Sequence, residues 1–304
     1  MKIRKFKIVI FITILTFMLS GCGGNHSEQN MSKQQEENID RQSVKKENSE
    51  DKIEESSELN ENFKIEENIF KQLDIQSYFA NYKTACCIIR FEDSEKGISW
   101  NEEIAEERIS PLSTFKIMSS IILLEEKIIT DVNNQIIVWD GTIYDNATWN
   151  SDQTLASAFE NSVVWVYEEL LSKVDKKVIA DYLEKVDYGN KDISGGSTFW
   201  LDSSLQISLK EQIVFLEGLY YNHFSFDENT IKIIKELMYE SSEEKYVLYG
   251  KTGTSSEGEN LYVGFIEKDK SPYFFATYVY EEMAGYNIAK DITIKMAELL
   301  FKYD

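Results

Sequence analysis

Tyr246-Val247-Leu248-Tyr249-Gly250-Lys251-Thr252, then Leu261 to Glu267, then Tyr273 to Glu281, are three strand-like runs that follow one another closely near the end of a 304-residue chain. They are rich in aromatic and β-branched residues and separated by Gly-, Ser- and charge-containing turns, the pattern of adjacent strands. A fourth run of the same kind, Thr84 to Phe91 (TACCIIRF), lies far upstream and is followed by a turn near Gly97 and a short run at Ile98-Ser99-Trp100. Between these two groups the periodicity changes. Phe115 to Lys127, Leu155 to Leu171, Lys176 to Val186, Ser208 to Tyr221 and Glu228 to Tyr239 read as helices, and Asn287 to Tyr303 closes the chain as an amphipathic one. Strands at both ends with helices between predict an α/β (α+β) fold. Its mixed, mainly antiparallel sheet is assembled from both chain ends, with helices on both faces and an inserted helical subdomain over about 123–204.

The composition bounds the partners. Asp and Glu total 53 against 32 Lys and Arg, a formal charge of −21, which argues against nucleic acid because phosphate backbones would repel the surface. Only two histidines are present, His26 and His223, so neither a Ser-His-Asp hydrolase nor a multi-histidine metal site is easily built. If the chain does acyl chemistry, lysine must move the protons, and no metal is expected.

Residues 1–22 read as a targeting segment. Lys2, Arg4, Lys5 and Lys7 precede an apolar run, Ile8 to Met18, too short to span a bilayer comfortably. It ends in Leu19-Ser20-Gly21-Cys22, which resembles a bacterial lipobox; the resemblance implies cleavage before Cys22 and a lipid on its sulfur, anchoring the protein to the outer face of the cell membrane. Residues 23–64 are rich in Glu, Lys, Asn, Gln and Ser with Phe63 as the only aromatic residue, so they cannot bury enough apolar surface to order themselves and read as a tether. The globular part is expected over 65–304. Cys86 and Cys87 are neighbours in a strand, so their side chains face opposite ways; they read as small core residues and not as a bridge.

The candidate chemistry lies in three spaced groups. In Ser113-Thr114-Phe115-Lys116, a spacing of three places hydroxyl and amine on one helical face. Ser113 at a helix start meets free N–H groups, and Lys116, among Phe115, Ile117 and Met118, can be desolvated into a neutral base. Ser162-Val163-Val164 offers a second hydroxyl. Lys251-Thr252-Gly253 follows a strand; Lys251 and Thr252 can hold a carboxylate, and Gly253 leaves room for a substrate at the strand edge. Taken singly, S-x-x-K, S-x-V and K-T-G are each weak.

In this order they resemble the penicillin-recognising serine enzymes, and further residues resemble class D (OXA-type) β-lactamases. These are Trp139-Asp140-Gly141, Trp149-Asn150-Ser151-Asp152-Gln153-Thr154-Leu155, Tyr188-Gly189-Asn190, Phe199-Trp200-Leu201 and Ser204-Leu205-Gln206-Ile207-Ser208. The resemblance implies that Ser113 is the acylating nucleophile and that Lys116 takes up carbon dioxide to become an N-carboxylated base. It implies apolar walls from Val164 and Leu201 and a hydrogen bond from the Trp200 indole to the carbamate. Ser162 would pass a proton toward the lactam nitrogen, Lys251 and Thr252 would clamp the substrate, and the backbone N–H groups of Ser113 and Thr254 would form an oxyanion hole. No other cofactor is implied, the expected partners are β-lactam antibiotics, and monomer or dimer is left open. Two positions depart from the family. Phe265 follows Gly264 where a Trp is usual, and Lys290, in Ala289-Lys290-Asp291-Ile292, stands where many members carry a carboxylate-gripping arginine. A sensor domain that stays acylated is the first rival reading, although Val164 stands where that group has asparagine; a cell-wall transpeptidase or carboxypeptidase is the second.

Overall fold

The computed structural model describes residues 76–79, 82, 84–91, 97–201, 204–243, 246–282 and 287–301. The lipobox at Cys22, the signal segment and the tether over 23–64 lie outside the described residues, as does most of the stretch leading into the first strand. Among the described residues no helix is long and apolar enough to cross a membrane.

Six strands form one sheet: β1 (Thr84–Phe91), β2 (Gly97–Trp100), β3 (Tyr239–Ser242), β4 (Val247–Thr254), β5 (Glu259–Lys268) and β6 (Ser271–Tyr280). Their spatial order is β2-β1-β6-β5-β4-β3, with every neighbouring pair antiparallel. The N-terminal hairpin therefore joins the C-terminal strands by pairing β1 along all of its length with β6, from Thr84 opposite Tyr280 to Phe91 opposite Tyr273. β5 and β6 are buried almost continuously because both faces of the sheet are covered.

The helices are α1 (Gln76–Phe79), α2 (Glu102–Ala105), α3 (Lys116–Glu125), α4 (Leu155–Glu160), α5 (Val164–Leu171), α6 (Lys176–Lys185), α7 (Leu209–Tyr220), α8 (Glu228–Met238) and α9 (Ile288–Leu300). Local chemistry starts several of them. Thr154 with Ser157, and Ser208 with Glu211, form reciprocal capping boxes, and Asp175 and Asp227 cap α6 and α8. In α9 the residues Ala289, Ile292, Met296 and Ala297 are buried at helical spacing and meet Cys87, Leu248, Tyr262 and Ile266 of the sheet. The larger core on the other face gathers Cys86, Leu261, Val263 and Phe265 with residues of α3 to α8. Cys86 and Cys87 thus face opposite cores as buried thiols that are not bridged to each other.

Three boundaries differ from the expected ones. The run from Leu155 to Leu171 is two helices, broken at Asn161-Ser162-Val163. The helix expected from Phe115 is preceded by a 3-10 turn over Leu112–Phe115. The chain after Met238 does not stop at a helix end but turns directly into the edge strand β3, whose register slips between Tyr239 and Ser241.

Candidate active site

Ser113 sits in the 3-10 turn, and all four residues of that turn are buried. Side chains three apart eclipse in a 3-10 turn, so Ser113 and the first residue of α3 line up. Lys116 Nζ donates to Ser113 Oγ at 3.0 Å. Leu112 N donates to the carbonyl of Trp200 at 3.0 Å, and Thr114 Oγ1 donates to the carbonyl of Pro111 at 2.6 Å while accepting from Gln212 Nε2 at 3.1 Å. Leu112 has φ of 51°, a conformation that disfavours a branched side chain, so the position next to Ser113 holds backbone strain.

Lys116 is 1% exposed. Burial pushes its ammonium well below the ordinary lysine range, and the nearby charge of Lys251 pushes the same way. Among the described residues no carboxylate counters these effects. The amine lies 5.1 Å from the centre of the Tyr167 ring, whose hydroxyl is 2.9 Å from Ser120 Oγ on the next turn of α3. Tyr167 is a pocket residue that the sequence reading missed, because a tyrosine at helical spacing reads as ordinary core.

Ser162 occupies the break between α4 and α5 with φ of 54°. The turn is pinned from outside by Trp149, whose indole N–H donates to the carbonyl of Asn161 at 3.0 Å, and by Trp165, whose indole donates to the carbonyl of Trp149 at 3.0 Å. A continuous helix would hold the Ser162 backbone in the helical ladder; the break frees its hydroxyl to meet β4. Lys251 Nζ lies 2.6 Å from Ser162 Oγ and 3.1 Å from the carbonyl of Thr252.

Lys251 is 4% exposed. Burial lowers it to about 8; the Glu240 carboxylate opposes that shift and the Lys290 ammonium reinforces it. Gly253 has a packing reason besides the expected one. A Cβ there would stand 3.2 Å from each of Leu112 Cβ, the carbonyl oxygen of Pro111 and Thr114 Cγ2. The missing side chain lets β4 lie against the Ser113 turn, which brings the Thr254 end of the strand beside it. Thr252 pairs with Tyr262 and faces the α9 side, opposite to Lys251.

Trp200 stacks on Phe115, the residue before Lys116, ring on ring at 5.8 Å, and is fully buried; its indole nitrogen has no hydrogen-bond partner among the described residues. Val164 and Leu201 are partly buried, Leu201 packing on the same core. The Trp200 segment is held by Asn190, which accepts from Gln206 N at 3.0 Å and donates to the carbonyl of Ser204 at 2.8 Å. Gly189 (φ 53°) has the Gln206 carbonyl oxygen 2.0 Å from where a Cβ would be, so no other residue fits that crossing. Lys290 is not free: it is paired with Glu240 at 2.6 Å. Ser113, Lys116, Ser162 and Lys251 thus form one hydrogen-bonded and Coulombically linked cluster, while Lys290 stands on the α9 side of the strand that carries Lys251.

Residues 59–298 match the penicillin-binding protein transpeptidase domain family. The probable β-lactamase YbxI of Bacillus subtilis (strain 168) is 38% identical over 207 residues, 67% of this chain and 75% of that protein. The solved class D β-lactamase BAT-2 superposes with a TM-score of 0.69 at 37% identity, over 75% of this chain and 94% of that one. The C-terminal domain of the Bacillus licheniformis BlaR penicillin receptor does so with a TM-score of 0.69 at 31% identity, over 74% and 93%. The chain therefore belongs to the penicillin-binding protein transpeptidase domain family, within the serine β-lactamase superfamily.

Proposed function

We propose that the protein is a class D β-lactamase that opens the lactam amide of β-lactam antibiotics through an acyl-enzyme on Ser113. The observation that carries this reading is Lys116, dry and 3.0 Å from Ser113 Oγ, with burial and the Lys251 charge both pushing its amine well below the ordinary lysine range, toward the neutral form. A neutral amine is what reacts with carbon dioxide, and the unpartnered Trp200 indole N–H is a donor with nothing to bind until an acceptor enters the pocket. Carboxylation supplies an anionic base at Lys116.

In this mechanism Ser113 Oγ loses its proton toward Lys116 and bonds to the lactam carbonyl carbon. The C–N bond breaks, and the nitrogen takes a proton relayed through Ser162, which Lys251 orients at 2.6 Å. The N–H groups of Ser113 and Thr254 face the carbonyl oxygen as its charge develops. Water, deprotonated at Lys116, then attacks the ester carbonyl, and Ser113 leaves with the proton restored. Lys251 holds the substrate carboxylate; Thr252, expected beside it in that role, faces the α9 side instead.

Cys22 carries the lipid that anchors the protein to the outer face of the membrane; a Cys22→Ala protein is expected in the medium and not in the membrane fraction. The test of the chemistry is turnover of a penicillin by the purified protein. Hydrolysis far beyond one equivalent supports the enzyme, and a single burst leaving a lasting adduct on Ser113 refutes it. That outcome would favour the second reading, a receptor-type acyl sensor, which the likeness to the BlaR domain keeps alive.

A further inference from the structure

β3 pairs with β4 across a register slip between Tyr239 and Ser241, and Glu240 is the residue at the slip. A bulge turns a side chain away from the direction that regular alternation gives it, and such bulges gather next to active sites. Here the redirected carboxylate meets Lys290 of α9 at 2.6 Å. Lys290 Nζ lies 5.8 Å from the centre of the Tyr262 ring. That ring fills the space where Gly250, the residue before Lys251, has no side chain; a Cβ on Gly250 would be 2.6 Å from its atoms. Glu240 and Lys290 are thus stacked onto the strand that bears the Lys251 clamp, and both lie within Coulombic reach of Lys251. Their side chains are 28% and 26% exposed, so an incoming anion can reach the pair.

We propose that Glu240 is a specificity-determining residue: its carboxylate occupies Lys290 as an internal competitor for the carboxylate of the substrate. A bound anion must share Lys290 with Glu240 or displace it, and its own charge is repelled by Glu240 on approach. Uncharged substrates meet neither cost. The protein therefore trades rate on anionic lactams for tolerance of neutral ones. This rests on the reading of the site as one that is acylated by β-lactams.

The test compares Glu240→Gln with the unaltered protein, using a penicillin and its methyl ester, and reads the second-order rate of acylation of Ser113 by mass spectrometry. Acylation needs no turnover, so the measurement works for a sensor as well as for an enzyme. The ratio of free acid to ester, taken well below pH 8 so that Lys251 keeps its charge in every variant, cancels any effect of Glu240 on steps common to both. Glu240→Gln is expected to raise that ratio about two- to fivefold, the scale of an ion pair exposed to this degree, and Lys290→Ala to lower it. A ratio unmoved or lowered in Glu240→Gln overturns the proposal, whatever the turnover assay shows. A binding measurement without chemistry stands beside it. Titrating Ser113→Ala with benzoate, followed through the 15N resonance of the Lys290 ammonium, should show tighter binding once Glu240→Gln is added. Equal affinity with and without Glu240 also overturns it.

Discussion

Lys251 Nζ and Ser162 Oγ are 2.6 Å apart, yet they come from elements far apart in the chain, the middle of β4 and the break between two helices. In the proposed mechanism this contact would join the clamp to the proton path, so the ionisation of Lys251 would govern both. It titrates at about 8 because burial outweighs the help it receives from Glu240.

The first prediction is an alkaline limb. Acylation by a carboxylate-bearing penicillin, as kcat/KM, should fall as pH rises through about 8, because the clamp loses its charge. Glu240 favours the protonated form, so Glu240→Gln should move the limb to lower pH; Lys290 disfavours it, so Lys290→Ala should move the limb up. A limb that stays in place in both variants would detach it from Lys251.

The same lysine predicts a stability profile. A lysine whose folded pKa is depressed binds fewer protons in the native state than in the unfolded one between about 8 and the ordinary 10.5. Unfolding free energy must then rise with pH across that window, by about 3 kcal/mol in all. Lys251→Met should lose this share of the rise and keep the share from Lys116, which burial also holds well below the ordinary lysine range. Urea unfolding between pH 8 and 9.5 reads the difference before tyrosine ionisation enters. Identical slopes in the two proteins would contradict the assignment.

Much of this site was legible in the residues. Ser113 and Lys116 could be paired from spacing alone, and a 3-10 turn aligns them more closely than an α-helix would. Ser162 was legible as a member of a spaced set but not as a break, since positive φ in a serine leaves no trace in residue type and Leu155 to Leu171 carries a helical apolar pattern throughout. Glu240 was illegible for a related reason: Tyr239-Glu240-Ser241-Ser242 has no hydrophobic alternation, because an edge strand at a bulge is held by backbone pairing with β4. Lys290 was named from its place near the last helix, but its partner arises only through the sheet.

Trp200 yields a prediction about the carbamate. Its N–H is buried with no partner among the described residues, which costs about 1–3 kcal/mol unless an acceptor arrives. Trp200→Phe should therefore show a weaker 13C signal on equilibration with labelled bicarbonate, and its activity should require more bicarbonate for recovery after acid treatment. Lys116→Ala should show no such signal and lose about two to four orders of magnitude in rate, the range of a general base. A carbamate resonance of full intensity in Trp200→Phe would remove the indole from this role.

Gly253→Ala tests how closely β4 must lie against the Ser113 turn. The added methyl would stand 3.2 Å from Leu112 Cβ, from Thr114 Cγ2 and from the Pro111 carbonyl oxygen. Leu112 is buried, and its amide is tied to Trp200, so the turn has little room to retreat. β4 must move out by a few tenths of an ångström, at a cost of about 1–3 kcal/mol, the usual scale of overpacking. Movement of β4 carries Lys251 away from Ser162 and the Thr254 N–H away from the carbonyl oxygen, both of which depend on short contacts. The acylation rate should therefore fall by more than the loss of stability explains, with Lys116 still able to carboxylate because its own helix is untouched. A variant less stable but acylated at the original rate would show that the approach of β4 serves packing alone.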